Sequence, residues 1–164
     1  MDLFIIRHAG AGHFGDPAWP NDAERPLTDE GRKRFVRMVK KLADGGLAVD
    51  LIATSPMVRC VQTAEALAEH MPGHPEVVSR DELLSGGSLE ALLAWTNAQA
   101  ADHGRIAWVG HAPHVGQWTA ALVGPGGSDL RFGKGTVAAL RFAEAAQAGG
   151  GELRWLVTAK VLGC

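Results

Sequence analysis

Cysteine is scarce in this sequence, and neither sign of charge is in excess. Only two of the 164 residues are cysteine, Cys60 and Cys164, and they form no CxxC pair. A disulfide-stapled scaffold is therefore not expected, since such scaffolds carry several cysteines at short spacings. The formal net charge is −2, which gives no general attraction to nucleic acid or to an anionic membrane surface. We expect neither as a partner.

Long hydrophobic runs are also missing. No apolar run approaches the roughly 20 residues that a membrane-spanning helix needs. The first run, Leu3–Ile6, is too short for the core of a secretory signal, and Asp2 stands where such a signal would carry basic residues. A cytoplasmic location is expected. The chain is long enough to bury one core without disulfides or metals, so we expect a single domain over residues 1–164.

Short apolar runs alternate with segments of helical period along the chain. This alternation predicts an α/β fold with three layers, α/β/α, around a mainly parallel sheet covered on both faces. Thr28, Ser55 and Ser88 are expected to cap helices, with Pro56 as the first residue of its helix. Two tail strands joined by a Gly-rich loop predict an antiparallel edge. The predicted strands are 3–6, 49–53, 76–79, 105–109, 136–142 and 152–161, and the predicted helices are 28–43, 55–71, 88–103 and one that begins near Pro113.

Basic side chains follow three of these strands. Arg7 and His8 follow the first, Arg59 follows the strand 49–53, and His111 follows the strand 105–109. Taken singly, each of these four side chains would be interpreted as an ordinary surface residue. Because ligands of open α/β sheets bind outside the carboxyl ends of the strands, we expect the four side chains to converge there on an anion of the size of phosphate.

Two glycine-rich segments resemble nucleotide-binding motifs without meeting their requirements. Residues 10–15 match GxGxxG, but the dinucleotide fingerprint needs a helix that opens at the glycines, and Pro17 and Pro20 follow instead. Gly133-Lys134-Gly135 lacks the hydroxyl residue that follows the lysine of a phosphate-binding loop. Neither motif is accepted, although Lys134 can still face the anion pocket.

The residue types at the predicted site suit phosphoryl transfer. Arg7 and Arg59 can each offer paired N–H groups to phosphate oxygens, and the helix N-termini near Ser55 and Ala112 would add backbone donors. A histidine can attack phosphorus when an acceptor holds its other ring nitrogen and so fixes the tautomer. His8 is the candidate nucleophile.

Four ordered motifs give the chain a close resemblance to the histidine phosphatase superfamily, also called phosphoglycerate-mutase-like. They are Arg7-His8-Ala9, Arg25-Pro26-Leu27-Thr28 followed by Gly31, Ser55-Pro56-Met57-Val58-Arg59 followed by Gln62-Thr63-Ala64, and Gly110-His111-Ala112-Pro113. Ala9 stands where the family most often has glycine, at a position where a small residue suffices. The resemblance implies that His8 is transiently phosphorylated, that Arg7 and Arg59 bind the phosphate, and that His111 completes the pocket, with no metal or other cofactor.

Within the superfamily, the small size and the early Arg25 motif look like the SixA-type phosphohistidine phosphatase branch. Arg25 would then add a third phosphate contact, and Ala112 would lie at the substrate site. Larger branches carry an insertion and a glutamate general acid, for which Asp81 or Glu82 is a candidate here if the register is shifted. A phosphorus–nitrogen bond needs less proton donation than an ester, because imidazole is a better leaving group than an alkoxide. The remaining histidines are expected at the surface: His13, His70, His74, His103 and His114.

The resulting hypothesis is a monomeric, metal-independent phosphatase with a phosphohistidine intermediate. Its expected substrate is phosphohistidine on a phosphotransfer or signalling protein. A phosphatase of small phosphate esters is an alternative, and it predicts that Asp81 or Glu82 points into the pocket. A non-catalytic phosphate-binding module is the other alternative, although such a module would not need both His8 and His111.

Overall fold

A six-stranded mixed sheet forms the centre of the computed structural model, which describes residues 1–124 and 130–164. The strand order is β3-β2-β4-β1-β5-β6. Strands β1 to β4 are parallel, β5 runs antiparallel to β1, and β6 runs antiparallel to β5 at the edge. The predicted mainly parallel sheet with an antiparallel edge strand is confirmed. The strands are β1 (Asp2–Arg7), β2 (Leu51–Thr54), β3 (Glu76–Ser79), β4 (Arg105–Gly110), β5 (Val137–Arg141) and β6 (Glu152–Val157).

In the part of the chain that the structure describes, four α-helices cover the sheet, and two of the three predicted caps are present. The Thr28 side chain accepts a hydrogen bond from the backbone N–H of Gly31, and Ser88 accepts one from Ala91. None of the described helices combines the length and apolar character that crossing a membrane requires. The helices are α1 (Asp29–Asp44), α2 (Val58–Glu69), α3 (Leu89–Gln99) and α4 (His114–Val123), with short 3₁₀ turns at Asp22–Glu24 and Asp81–Leu83.

Several predicted boundaries are wrong, including the start of β2 at Leu51 rather than Val49 and the end of α2 at Glu69 rather than Met71. Helix α2 begins at Val58 with Met57 as its N-cap, rather than at Pro56 with Ser55 as its cap. The reason is that Ser55 still belongs to the sheet edge, where its backbone N–H donates to the carbonyl of Val109 at 3.0 Å. Helix α3 ends at Gln99 instead of near residue 103, and β6 ends at Val157 because the chain turns at Thr158, whose carbonyl accepts from the N–H of Val161.

Alternate side chains of the central strands pack into two separate cores. On one face, Phe4 and Ile6 pack with side chains of α1 and α2, whereas on the other Leu3 and Ile5 pack with side chains of α3 and α4. This is the period of two that a strand imposes. The buried Trp108 indole donates to Thr96 at 3.0 Å, which satisfies its polar group inside the second core. The sheet is thus held rigidly from both sides.

The glycines after β1 serve packing. The connection from His8 to Thr28 contains one short 3₁₀ turn, Asp22–Glu24, and no helix opens at residues 10–15. A Cβ atom on Gly31 would lie 2.1 Å from the carbonyl oxygen of Gly10. The two glycines therefore allow the first turn of α1 to lie directly against the backbone that follows β1.

Candidate active site

The topology brings together the chain segments that follow β1, β2 and β4. These strands are neighbours in the sheet and run in parallel, so their carboxyl ends lie at one edge. The backbone N–H of His8 donates to the carbonyl of Gly110 at 3.0 Å. The imidazole rings of His8 and His111 have centroids 5.4 Å apart. Two residues separated by more than 100 positions thus form one buried pair.

The tautomer of His8 is fixed by its own backbone. Its Nδ1 lies 2.8 Å from the carbonyl oxygen of Ala9, and because a carbonyl can only accept, Nδ1 must carry the proton. The lone pair is consequently on Nε2. Burial lowers the pKa of His8 to about 3, the Ala9 hydrogen bond opposes this shift, and the charges of Arg59 and Arg7 add to it. His8 is therefore a neutral imidazole at neutral pH, and the lone pair of Nε2 is free to attack.

His111 contacts Ser55, which lies just before α2, and Cys60, which belongs to α2. Its Nε2 lies 2.9 Å from the hydroxyl of Ser55 and 3.4 Å from the thiol of Cys60. Burial and the charge of Arg59 lower the pKa of His111 to about 4. Burial also raises the pKa of Cys60 to about 12, so this residue remains a thiol beside the ring. Ser55, predicted as a helix cap, instead orients His111.

Arg7 and Arg59 flank the two histidines with their side chains largely withdrawn from solvent. Arg7 donates from one terminal nitrogen to the carbonyl of Phe132 at 2.7 Å, and Arg59 donates to the carbonyl of Asp22 at 2.7 Å. Within the described part of the chain, the buried Nε of each arginine has no hydrogen-bond partner. An unpaired buried guanidinium N–H is costly, and an anion between the two side chains would relieve that cost.

Two further cations border this cluster. Arg25 is buried and donates to the carbonyl of Gly12 at 2.6 Å, while Lys134 donates to the carbonyl of Ala11 at 3.1 Å. Burial lowers the pKa of Lys134, and the charges of Arg7 and Arg25 contribute. Both residues anchor the connection between β1 and α1 at the rim of the site. Reasoning from the sequence missed Asp22, whose carboxylate lies between Arg25 and Arg59.

Thr63 connects the strand that carries His8 to the helix that carries Arg59. Its hydroxyl accepts from the backbone N–H of Ala9 at 3.0 Å and donates to the carbonyl of Arg59 at 2.7 Å. The neighbouring Gln62 side chain accepts from the N–H of Leu27 at 2.8 Å. The Gln62-Thr63 pair in the third motif therefore fixes the relative position of β1, α2 and the connection that precedes α1.

This site geometry agrees with the family comparison. Residues 3–116 match the model of the histidine phosphatase superfamily (branch 1). The chain belongs to this superfamily. It is 38% identical over 144 residues to an uncharacterized protein of Picosynechococcus sp. (strain PCC 7002), with 86% of this chain and 85% of the other covered. It is 28% identical over 158 residues to the phosphohistidine phosphatase SixA of Escherichia coli K12, with 94% and 92% covered.

Solved structures of histidine phosphatases share the fold. The protein histidine phosphatase SixA complexed with tungstate superposes with a TM-score of 0.85 at 24% identity, and 99% of each chain is covered. The putative phosphohistidine phosphatase SixA from Nakamurella multipartitia gives a TM-score of 0.77 at 30% identity, with 96% of this chain and 95% of the other covered. The predicted phosphoglycerate-mutase-like α/β fold is confirmed.

For a histidine phosphatase, the position of a general acid matters, and Glu82 is poorly suited to that role. Its two carboxylate oxygens accept from Arg80 at 2.6 and 3.1 Å. A hydrogen bond from its own backbone amide lowers the pKa of Glu82, and Arg80 adds to this effect. Asp81 is exposed at the start of the 3₁₀ turn Asp81–Leu83. A carboxylate that stays ionised and paired has no proton to give at neutral pH.

Other predicted positions differ in their surroundings. Ala112 is exposed, two residues before the first residue of α4. Of the histidines expected at the surface, His13 and His74 are exposed, whereas His70, His103 and His114 are partly buried. The prediction is least accurate for His114, whose Nδ1 is inaccessible and whose Nε2 accepts from the N–H of Gly86 at 3.4 Å. Among residues 1–124 and 130–164, no three His, Cys, Asp or Glu side chains are grouped as metal ligands.

Proposed function

We propose that this histidine phosphatase hydrolyses phosphohistidine on a phosphotransfer or signalling protein, without a metal and through a phosphorylated His8. The observation that carries the proposal is the hydrogen bond from Nδ1 of His8 to the Ala9 carbonyl, at 2.8 Å. It leaves the lone pair on Nε2 of a ring that feels the charges of Arg59 and Arg7. The similarity to the phosphohistidine phosphatase SixA of Escherichia coli supports the choice of substrate.

In the first step, Nε2 of His8 attacks phosphorus while Arg7 and Arg59 neutralise the charge on the phosphoryl oxygens. The phosphorus–nitrogen bond of the substrate breaks, and its electron pair returns to the substrate ring. If that ring carries a proton on its other nitrogen, it leaves as neutral imidazole. No general acid is then required, which fits a site where Glu82 is paired with Arg80.

In the second step, water attacks the phosphoryl group on His8. The bond between phosphorus and Nε2 breaks, and its electron pair returns to the imidazole, so His8 regains its starting tautomer with the proton on Nδ1. Both water protons begin on the phosphate product, which releases one to solvent at neutral pH. His111, with its ring held by Ser55 at 2.9 Å, closes the other side of the pocket in this scheme.

Hydrolysis of a phosphoramidate and of an aryl phosphate ester, measured side by side with chelator present, tests the proposal. We expect a strong preference for the phosphoramidate that disappears in His8→Ala, whereas His13→Ala, which removes an exposed histidine, should retain activity. Phosphate binding should remain measurable in His8→Ala, since the arginines supply most of the contacts. A phosphoryl group trapped on the peptide that contains His8 would identify the intermediate.

The other outcomes distinguish the alternatives. Comparable turnover of the ester would indicate a phosphatase of small phosphate esters. Phosphate binding without turnover of either compound would indicate a binding module, and loss of both binding and turnover in His8→Ala would contradict the separate roles assigned to His8 and the arginines.

A further inference from the structure

Asp22 connects two cations of the site. It begins the short 3₁₀ turn Asp22–Glu24, within the connection between β1 and α1. One carboxylate oxygen accepts from Nε of Arg25 at 2.8 Å, and the other lies 3.0 Å from a terminal nitrogen of Arg59. The backbone carbonyl of Asp22 accepts from the other terminal nitrogen of Arg59 at 2.7 Å. One residue thus contacts both guanidinium groups, which are also held by the Gly12 carbonyl for Arg25 and by the Met57 sulfur for Arg59.

The surroundings favour a persistent bridge. The side chains of Arg25 and Arg59 are only 9% and 7% exposed, so their contacts with Asp22 are screened far less than a surface ion pair. Two guanidinium groups this close together repel each other, and an anion between them offsets the repulsion. The hydrogen bond from Arg25 lowers the pKa of Asp22, and Arg59 contributes, so the carboxylate is ionised at neutral pH.

The turn that carries Asp22 is itself fixed. The side chain of Asn21 accepts from the backbone N–H of Ala23 at 3.1 Å and so caps the turn. The backbone N–H of Arg25 donates to the carbonyl of Asp22 at 3.3 Å, which closes it. Arg25 also holds the carbonyl of Gly12 at 2.6 Å. The connection is therefore tied at both ends to the cation cluster.

We propose that Asp22 is a positioning residue for phosphate binding, which holds Arg25 and Arg59 as a preorganised pair. The proposal rests on the proposed function, because it assumes that these arginines bind phosphate. The bridge uses Nε of Arg25 and the terminal nitrogens of Arg59, while the buried Nε of Arg59 has no partner within residues 1–124 and 130–164. Preorganisation matters because the ordering of two long side chains no longer reduces the affinity for phosphate.

The opposite hypothesis is that the Asp22 carboxylate occupies the position that phosphate takes when it binds. In that case the carboxylate would be an internal competitor that every substrate must displace, and its removal would tighten anion binding. Removing the negative charge of Asp22 would also tighten anion binding, because it would remove a Coulomb repulsion between the carboxylate and the anion. The two hypotheses therefore predict changes of opposite sign.

Titration calorimetry with inorganic phosphate on Asp22→Asn decides between them. We expect the Kd for phosphate to rise about tenfold, which is a coupling of ordinary size for neighbouring charged residues. The kcat/KM for a phosphoramidate should fall with it. Asp16→Asn is the matched control, since it makes the same change of charge in the same connection, where the Asp16 carboxylate accepts only from the backbone N–H of Ala18 among the described contacts. Its Kd should stay within about twofold of the original.

A second pair of variants tests the positioning itself. If Asp22 acts through Arg25 and Arg59, Asp22→Asn should raise the Kd clearly less in an Arg25→Ala background than in the original chain. An equal effect in both backgrounds, or tighter phosphate binding in Asp22→Asn, would overturn the proposal. These binding measurements do not depend on turnover. If the original enzyme binds phosphate but hydrolyses no phosphoramidate, the proposed function fails and the Asp22 proposal is still decided.

Discussion

At the scale of single residues, surroundings rather than residue type give the site its chemistry. The same burial that keeps His8 and His111 neutral keeps the thiol of Cys60 protonated, with a pKa of about 12. Both neutral imidazoles are therefore better nucleophiles than this thiol, since a thiol attacks mainly as its thiolate. Cys60 therefore contributes packing and a weak contact with His111 rather than reactivity.

Arg59 provides the sharpest test at this scale, because it combines charge with a specific set of contacts. We expect Arg59→Ala to lower kcat/KM for a phosphoramidate by roughly 100-fold or more, the size of effect seen when one aligned donor to a developing charge is lost. Arg59→Lys should recover only a small part, since the N–H groups of an ammonium diverge from one nitrogen and cannot reproduce the planar fork that contacts the Asp22 carbonyl and carboxylate. Steady-state kinetics would measure both. Arg32→Ala, which removes an exposed arginine paired with Glu69, is the control. Near-normal activity of Arg59→Ala would remove this residue from the site.

At the scale of elements, the position of His8 depends on contacts between β1 and the helices. The caps of α1 and α3 could be predicted because Thr28 and Ser88 directly precede segments of helical period, and a cap is a local interaction. The start of α2 could not, because the hydroxyl of Ser55 is used by His111, 56 residues away in sequence. Long-range contacts of this kind leave no local signal.

Thr63 joins β1 to α2, and its hydroxyl should be needed for both stability and activity. Thr63→Val keeps the shape but leaves the buried N–H of Ala9 without its acceptor, at a cost of about 1–3 kcal/mol in the free energy of unfolding. Because Ala9 also holds Nδ1 of His8, we expect kcat to fall while KM changes less. Urea unfolding and steady-state kinetics measure the two effects. Thr63→Ser, which retains the hydroxyl, should preserve most of both, and a valine variant with unchanged kcat would show that this link does not orient His8.

The contact between Gly10 and Gly31 fixes α1 against the site, and it has no room for a side chain. A Cβ on Gly31 would lie 2.1 Å from the carbonyl oxygen of Gly10, so Gly31→Ala must push α1 outward. We expect a loss of about 1–3 kcal/mol in the free energy of unfolding, the usual cost of overpacking. Gly124→Ala is the matched control, since its added Cβ would meet no atom of residues 1–124 and 130–164 within 4 Å and its φ of −173° suits any residue. Similar melting temperatures for the two variants would contradict the tight contact.

At the scale of the whole molecule, the site was predictable because sheet topology alone brings it together. A parallel sheet places the ends of β1, β2 and β4 at one edge, so the residues that follow these strands can be grouped before any coordinates exist. Asp22 escaped prediction because it lies in a long connection without periodicity. Its contact with Arg25 is local, but its contact with Arg59 joins residues 37 positions apart in sequence and leaves no local signal.

The same buried histidines link the site to the acid stability of the whole molecule. Burial lowers the pKa of His8 to about 3 and that of His111 to about 4, whereas both residues have an ordinary pKa of 6.5 in the unfolded chain. Between these values the unfolded chain binds protons that the folded protein excludes. Stability should therefore be lost as the pH falls from about 6.5 toward 4, at a cost of roughly 2 kcal/mol per histidine at pH 5.

Urea unfolding at pH 7.5 and pH 5, in buffer without phosphate, measures this loss directly. The double variant His8→Gln with His111→Gln removes both groups, so its free energy of unfolding should decrease clearly less between the two pH values than that of the original chain. The exposed His13, changed to Gln, controls for the removal of a histidine as such. Asp22 does not affect this comparison. Its pKa is lowered in the folded protein, so its contribution to the free energy of unfolding is lost only below about pH 4. If the double variant and the original chain lose equal stability, the two imidazoles are not held neutral by the fold, and the neutral Nε2 nucleophile of the proposed mechanism loses its physical basis.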